Sequence, residues 1–149
     1  MKKITKVLLV MALVTVCSLG MLPTNKAEAA TSPWFSVPSA GSGCQVRVWT
    51  DYDTYTATAT TVDTYAETNG KCGTIYYSAF VEDAYSWISS ETHTGYFTSR
   101  TPTKKFYISK FQSRSFNPVT ASVTFQLYSN SSHSTTIGSA WKNITYYQK

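Results

Sequence analysis

The stretch Thr120-Ala121-Ser122-Val123-Thr124-Phe125-Gln126-Leu127-Tyr128 decides how the rest of the chain is read. Ala121, Val123, Phe125 and Leu127 share one parity, and Ser122, Thr124 and Gln126 share the other. Successive side chains of a strand point to opposite faces, so this pattern predicts a strand with one buried and one solvated face. The same period recurs on both sides of it. In 44–50, Val46 and Val48 oppose Arg47 and Trp49. In 54–60, Thr alternates with Tyr55, Ala57 and Ala59, and in 74–82, Ile75, Tyr77, Ala79 and Val81 oppose Tyr76, Ser78 and Phe80. In 103–111, Phe106 and Ile108 alternate with Lys105, Tyr107 and Ser109, and a last strand is expected over 138–147. No stretch shows a helical apolar period. Short alternating strands of this kind predict an all-β fold, an antiparallel β-sandwich of about seven or eight strands, with a small barrel as the alternative.

Composition agrees. From residue 30 onward the chain has one Leu, Leu127, against 20 Thr, 18 Ser, 11 Tyr, seven Phe and four Trp. These residue types suit pleated, half-buried surfaces, and the rings supply the apolar volume that aliphatic residues lack.

Cys44 and Cys72 predict a disulfide, which also constrains topology. Asn69-Gly70 signals a tight hairpin between strands near 62–68 and 71–82. A plain three-strand meander through 44–50, 54–68 and 71–82 would leave the two cysteines roughly 23 Å apart, beyond disulfide reach. The middle strand must therefore break. Tyr55, Ala57 and Ala59 lie on one parity and Val62 and Ala66 on the other, so a bulge or corner near Thr60-Thr61 is expected, of the type that passes strands between sheets.

At the N-terminus, Lys2, Lys3 and Lys6 precede an apolar run over 7–22 and the small-residue motif Ala27-Glu28-Ala29. This is the pattern of a secretory signal peptide over 1–29, cleaved near Ala29, and it resembles the signals of Gram-positive bacteria. Residues 30–43, rich in Pro, Gly and Ser, read as an irregular arm, and 44–149 as one β-sandwich domain. The expected product is a secreted, extracellular protein without a transmembrane segment.

Charge is divided along the chain. Residues 44–91 hold seven acids and two bases, whereas 92–149 hold seven bases and no acid. His93 and His133 stand 40 residues apart and are too few for a metal site; neither a cofactor nor a metal is expected. Asp51 and Asp53 read as turn chemistry, and adjacent Glu82 and Asp83 point to opposite faces. No G-x-S-x-G turn accompanies either histidine. The residues point away from an enzyme.

Two features remain. One is the basic, ring-rich stretch carrying Arg100, Lys104, Lys105, Tyr107, Lys110 and Arg114, suited to polyanions, although edge-strand lysines also serve to prevent sheet-to-sheet aggregation. The other is the set of rings on nominally outward parity: Trp49, Tyr65, Tyr76, Phe80, Tyr107 and Tyr128. Exposed rings in a row bind sugar polymers by covering pyranose faces. The expected ligand-binding set is Trp49, Tyr76, Phe80 and Tyr107 for stacking, with Lys104, Lys105, Lys110 and Arg114 for charge. The partner would be a cell-wall polysaccharide or other anionic polymer, with no specific nucleic-acid recognition. The rival reading is a bacteriocin-like toxin or an inhibitor of an extracellular enzyme.

Overall fold

The computed structural model describes residues 29–84, 88–112 and 116–148. The signal peptide expected over 1–29 lies, but for Ala29, outside the described residues, as do Arg114, Tyr85 and Trp87. Among the described residues ten strands form two five-stranded sheets. The first sheet contains β1 (Ala30–Thr31), β2 (Phe35–Ser36), β3 (Gln45–Thr50), β5 (Thr61–Thr68) and β8 (Lys104–Tyr107), ordered β1-β3-β5-β8 with β2 also on β3. The second holds β4 (Thr54–Tyr55), β6 (Ile75–Asp83), β7 (His93–Phe97), β9 (Val119–Tyr128) and β10 (Thr136–Tyr146), ordered β4-β10-β9-β6-β7. Every pair is antiparallel except β4 with β10. The protein is an all-β sandwich.

The core is made of rings. Tyr55, Tyr77, Tyr146, Phe106, Phe111 and Phe125 are the largest fully buried side chains, filled in by Val46, Val48, Val62, Ile75 and Leu127. Tyr77 packs against Phe125 with centroids 5.6 Å apart and against Phe97 at 5.9 Å. Burying one such ring stabilises the fold by roughly 1.5–3 kcal/mol, so a core poor in leucine is sufficient.

The middle strand breaks where parity changes. Residues 54–55 join the second sheet, and after a turn closed by the Ala59 N–H on the Thr56 carbonyl (2.9 Å), residues 61–68 join the first. This switch sets the register of β3 on β5 with Val46 opposite Thr68, which carries Cys44 to the level of residue 70. Cys44 and Cys72 are disulfide-bonded, with Cα atoms 4.8 Å apart.

Three local expectations are corrected. Asn69-Gly70 does not form a hairpin, because β5 and β6 lie in different sheets. The Asn69 side chain instead accepts from the Gln45 N–H (3.2 Å) and donates to the Gly43 carbonyl (2.9 Å), so it ties the crossing to the start of β3. The strand expected over 103–111 ends at Tyr107 and continues as one helical turn, α1 (Ile108–Phe111), because Ile108 and Phe111, three residues apart, are both buried. Phe111 therefore does not share a face with Lys105 and Tyr107. Lastly, residues 30–43 contribute β1 and β2, both paired with β3.

Gly41 is packed against the crossing with φ 150° and ψ 152°, and a Cβ there would lie 2.5 Å from the Lys71 carbonyl oxygen. That backbone region is essentially restricted to glycine and costs other residues about 1–3 kcal/mol. Gly41→Ala is expected to lower the melting temperature by on the order of 10 °C, read by thermal denaturation. A change within 2 °C (about 0.5 kcal/mol) would contradict this packing.

Tyr55, buried on β4, donates to Asp51 Oδ1 at 2.6 Å, and the same oxygen accepts the Asp63 N–H at 3.0 Å. Burial, then the Asp51 carboxylate, pushes its phenol far above the ordinary tyrosine range. The unfolded chain releases this proton near pH 10 and the folded one does not. The stabilisation is thus complete below about pH 10 and is lost as pH rises beyond it. Tyr55→Phe is expected to lower stability at pH 7 by about 1.5–3 kcal/mol and to flatten the decline between pH 10 and 11.5 in denaturant titrations. An unchanged alkaline slope would count against this assignment.

Candidate functional site

The two sheets separate the residues singled out by parity. Trp49 on β3, and Lys105 and Tyr107 on β8, project from the outer face of the first sheet. Tyr76 and Phe80 on β6 project from the outer face of the second sheet. One continuous row of these four rings does not form, because β6 belongs to the opposite layer from β3 and β8. Lys104 has the parity opposite to Lys105, and its ammonium lies 5.8 Å from the Tyr77 ring centroid. Lys110 is exposed on α1, and Arg114 is outside the described residues.

On the first sheet's outer face Trp49, Tyr65, Arg47 and Lys105 already have partners. Trp49 stacks on Tyr65 with centroids 4.8 Å apart and planes 13° from parallel, and Arg100 lies 4.9 Å from the Tyr65 ring. Arg47 sits 4.5 Å from the Trp34 ring and donates to Glu67 at 2.6 Å. Lys105 and Asp63 form a wide ion pair at 3.9 Å. Each of these contacts covers one face of its ring, and exposed ion pairs add little stability. Trp49 holds this face together.

The open chemistry lies at the end of the sandwich. Tyr107, opposite Thr61, is the last residue of β8 before α1 turns inward to bury Ile108 and Phe111. Tyr147 follows β10, where its N–H donates to the Tyr55 carbonyl at 2.9 Å. Between them and the 56–60 corner is a cleft of about 510 Å³, walled by Tyr107, Tyr147, Ser109, Gln112 and Thr60 over Ala57 and Ala59. Tyr107 is 51 % exposed and Tyr147 46 %. Two accessible rings lining one cleft together with small residues, an amide and hydroxyls can hold a flat, hydroxyl-bearing ligand by stacking and hydrogen bonding. Lys105 and Lys110 lie two and three residues along the chain from Tyr107 and add positive charge nearby.

Sequence reading missed Tyr147 and Gln112. Tyr146-Tyr147 closes the strand expected over 138–147, and alternation requires one of the two rings to face out; that was the available signal. Gln112 carried none. Among the described residues lining the cleft there is no carboxylate, histidine or cysteine. The two histidines are apart, with His93 beside Phe106 (5.0 Å) and His133 stacked on Tyr128 (4.7 Å). Among the described residues no three His, Cys, Asp or Glu side chains are grouped to hold a metal.

No solved structure matches the chain. The chain is similar to the cell wall-binding protein YqgA of Bacillus subtilis (strain 168), 52% identical over 99 residues that make up 66% of this chain and 69% of that protein. Residues 27–148 match the family described as the YqgA MG2 macroglobulin domain. With the match running over nearly the whole β-sandwich, the chain belongs to the YqgA MG2 macroglobulin domain family.

Proposed function

We propose that this protein is an exported, non-enzymatic binder of the bacterial cell wall that takes a wall polymer into the Tyr107–Tyr147 cleft. The observation that carries this reading is the pair of exposed rings in one cleft, in a chain whose relative is named a cell wall-binding protein. Stacking on Tyr107 and Tyr147 supplies the short-range term, with hydrogen bonds from Gln112, Ser109 and Thr60. Lys105 and Lys110 attract a polymer that carries phosphate or carboxylate. The ligand class is therefore a glycan or an anionic wall polymer, and the contact is reversible.

Co-sedimentation with purified Gram-positive walls, followed by a salt series, tests this. Retention is expected, with part of it lost as salt screens the two lysines and part persisting through the rings. Walls stripped of their anionic polymers should retain only the salt-resistant fraction. Failure to sediment with either preparation would overturn the proposal and favour the toxin or inhibitor reading.

A further inference from the structure

The outer face of the second sheet carries a different surface, which the cleft does not use. Cross-strand register aligns Tyr96 on β7, Tyr76 on β6 and Tyr128 on β9 in one row. Tyr96 is 68 % exposed, and Tyr76 and Tyr128 are half-buried. The Tyr96 and Tyr76 rings lie 5.9 Å apart at 50°, so neither covers the other's face. At the far end, His133 stacks on Tyr128 at 4.7 Å and 30°.

That end is constructed by its loop. Asn130 donates to Ser134 Oγ (3.0 Å) and Thr135 Oγ1 (3.2 Å), and accepts from the Ser134 N–H (3.1 Å). His133 is held there at φ 54°, a left-handed conformation uncommon outside glycine. Such geometry persists where the surroundings over-determine it.

Charge separates this face from the rest of the molecule. Its other outward positions are hydroxyls and amides such as Ser78, Thr94 and Gln126, together with Phe80, Trp141 and a single carboxylate, Glu82. Among the described residues no Lys or Arg projects from the strands of this face, because Lys142 has inward parity and pairs with Asp53. An anionic polymer would find no counter-charge here and would meet Glu82. A neutral, hydroxyl-rich polymer would find ring faces beside hydrogen-bonding groups. The spacing also suits such a chain: neighbouring strands lie about 4.7–4.9 Å apart, close to the length of one pyranose in an extended glycan. A chain laid across the strands meets Tyr96, Tyr76 and Tyr128 in succession.

We propose that the Tyr96–Tyr76–Tyr128 row, closed by His133, is a second binding site, for a neutral, extended, β-linked polysaccharide. It depends on the wall-binding reading only for where the polymer is met. A protein with this site and the cleft on different surfaces can hold two polymers at once.

The purified protein should sediment with insoluble chitin or cellulose, and 0.5 M NaCl, which compresses the Debye length to only a few ångströms, should not release it. Tyr96→Ala combined with Tyr76→Ala should weaken that retention at least tenfold while leaving the salt-sensitive part of wall retention unchanged. Tyr107→Ala with Tyr147→Ala should weaken wall retention and leave chitin and cellulose retention unchanged. Circular dichroism and melting of each variant exclude unfolding as the cause, and Tyr96→Ala alone, at the most exposed ring, provides a milder variant. Binding to neither polymer, release by 0.5 M salt, or retention indifferent to Tyr96 and Tyr76 would overturn the proposal. So would concentration-dependent dimerisation abolished by Tyr96→Ala, since the face would then be covered by a second copy. An unaltered protein that fails to sediment with walls yet binds chitin would sink the cleft reading and leave this one standing.

Discussion

Replacing Cys44 and Cys72 together by alanine is expected to lower the unfolding free energy by about 3–4 kcal/mol, the chain-entropy value for a loop closed over 28 residues. For a domain of this size that corresponds to roughly 10–15 °C in melting temperature. Position makes the effect larger than that of any single surface contact. Cys44 is fully buried at the entry to β3, and Cys72 sits on the crossing from β5 to β6, so the bridge fastens the only link between those two strands to the first sheet. Alanine is chosen over serine because a hydroxyl at the buried Cys44 site would add a desolvation penalty of its own. Reduction of the unaltered protein should reproduce the change in denaturant midpoint. A loss below 1 kcal/mol (about the size of one ordinary hydrogen bond) would mean that the crossing is held by Asn69 and the packing of Gly41 instead.

Tyr107→Ala with Tyr147→Ala is expected to weaken retention on walls about a hundredfold, since buried interface rings commonly contribute 1–2 kcal/mol each or more. Both rings are about half exposed in the free protein, so their removal should cost little fold stability. That contrast separates a binding role from a structural one. Trp49→Ala should behave in the opposite way. With Trp49 stacked on Tyr65, its loss should reduce stability and affect wall retention only in proportion to unfolding. If the double tyrosine variant bound walls like the unaltered protein, the cleft would not be the site.

The amino-acid pattern was most legible where one face of a strand is buried and the other is not. β6 and β9 follow the predicted alternation along their entire length. The corner near Thr60 was readable because a change of parity inside a β-forming run has no other inexpensive solution, and because the two cysteines could not otherwise meet. What parity cannot encode is the sheet to which a strand belongs. Trp49 and Tyr76 are both outward by count, yet they face opposite directions because β3 and β6 are in different layers. For the same reason Asn69-Gly70 looked like a hairpin, although its local chemistry, a turn at φ 82° for Gly70, was read in the right place. α1 was hidden because Phe106 and Ile108 alternate as a strand does, and only the three-residue spacing of Ile108 and Phe111 shows the turn.

The candidate site was half legible. Tyr107, Lys105 and Lys110 were singled out because cations beside a ring stand out in a chain of hydroxyls. Tyr147 was not, since it follows the parallel pairing of β10 with β4, a contact over about ninety positions that no local pattern reports. Trp49 was drawn in by parity, and one face of its ring stacks on Tyr65. Exposure depends on neighbours from other strands, which periodicity does not contain.

Isotope-labelled protein titrated with solubilised wall fragments, followed by amide NMR, tests the central claim most directly. Shifts gathered at Thr60, Tyr107, Ser109, Gln112 and Tyr147 are the predicted result, with any second group confined to the Tyr96–Tyr76–Tyr128 row. Saturation of the protein with those five amides unmoved would contradict it.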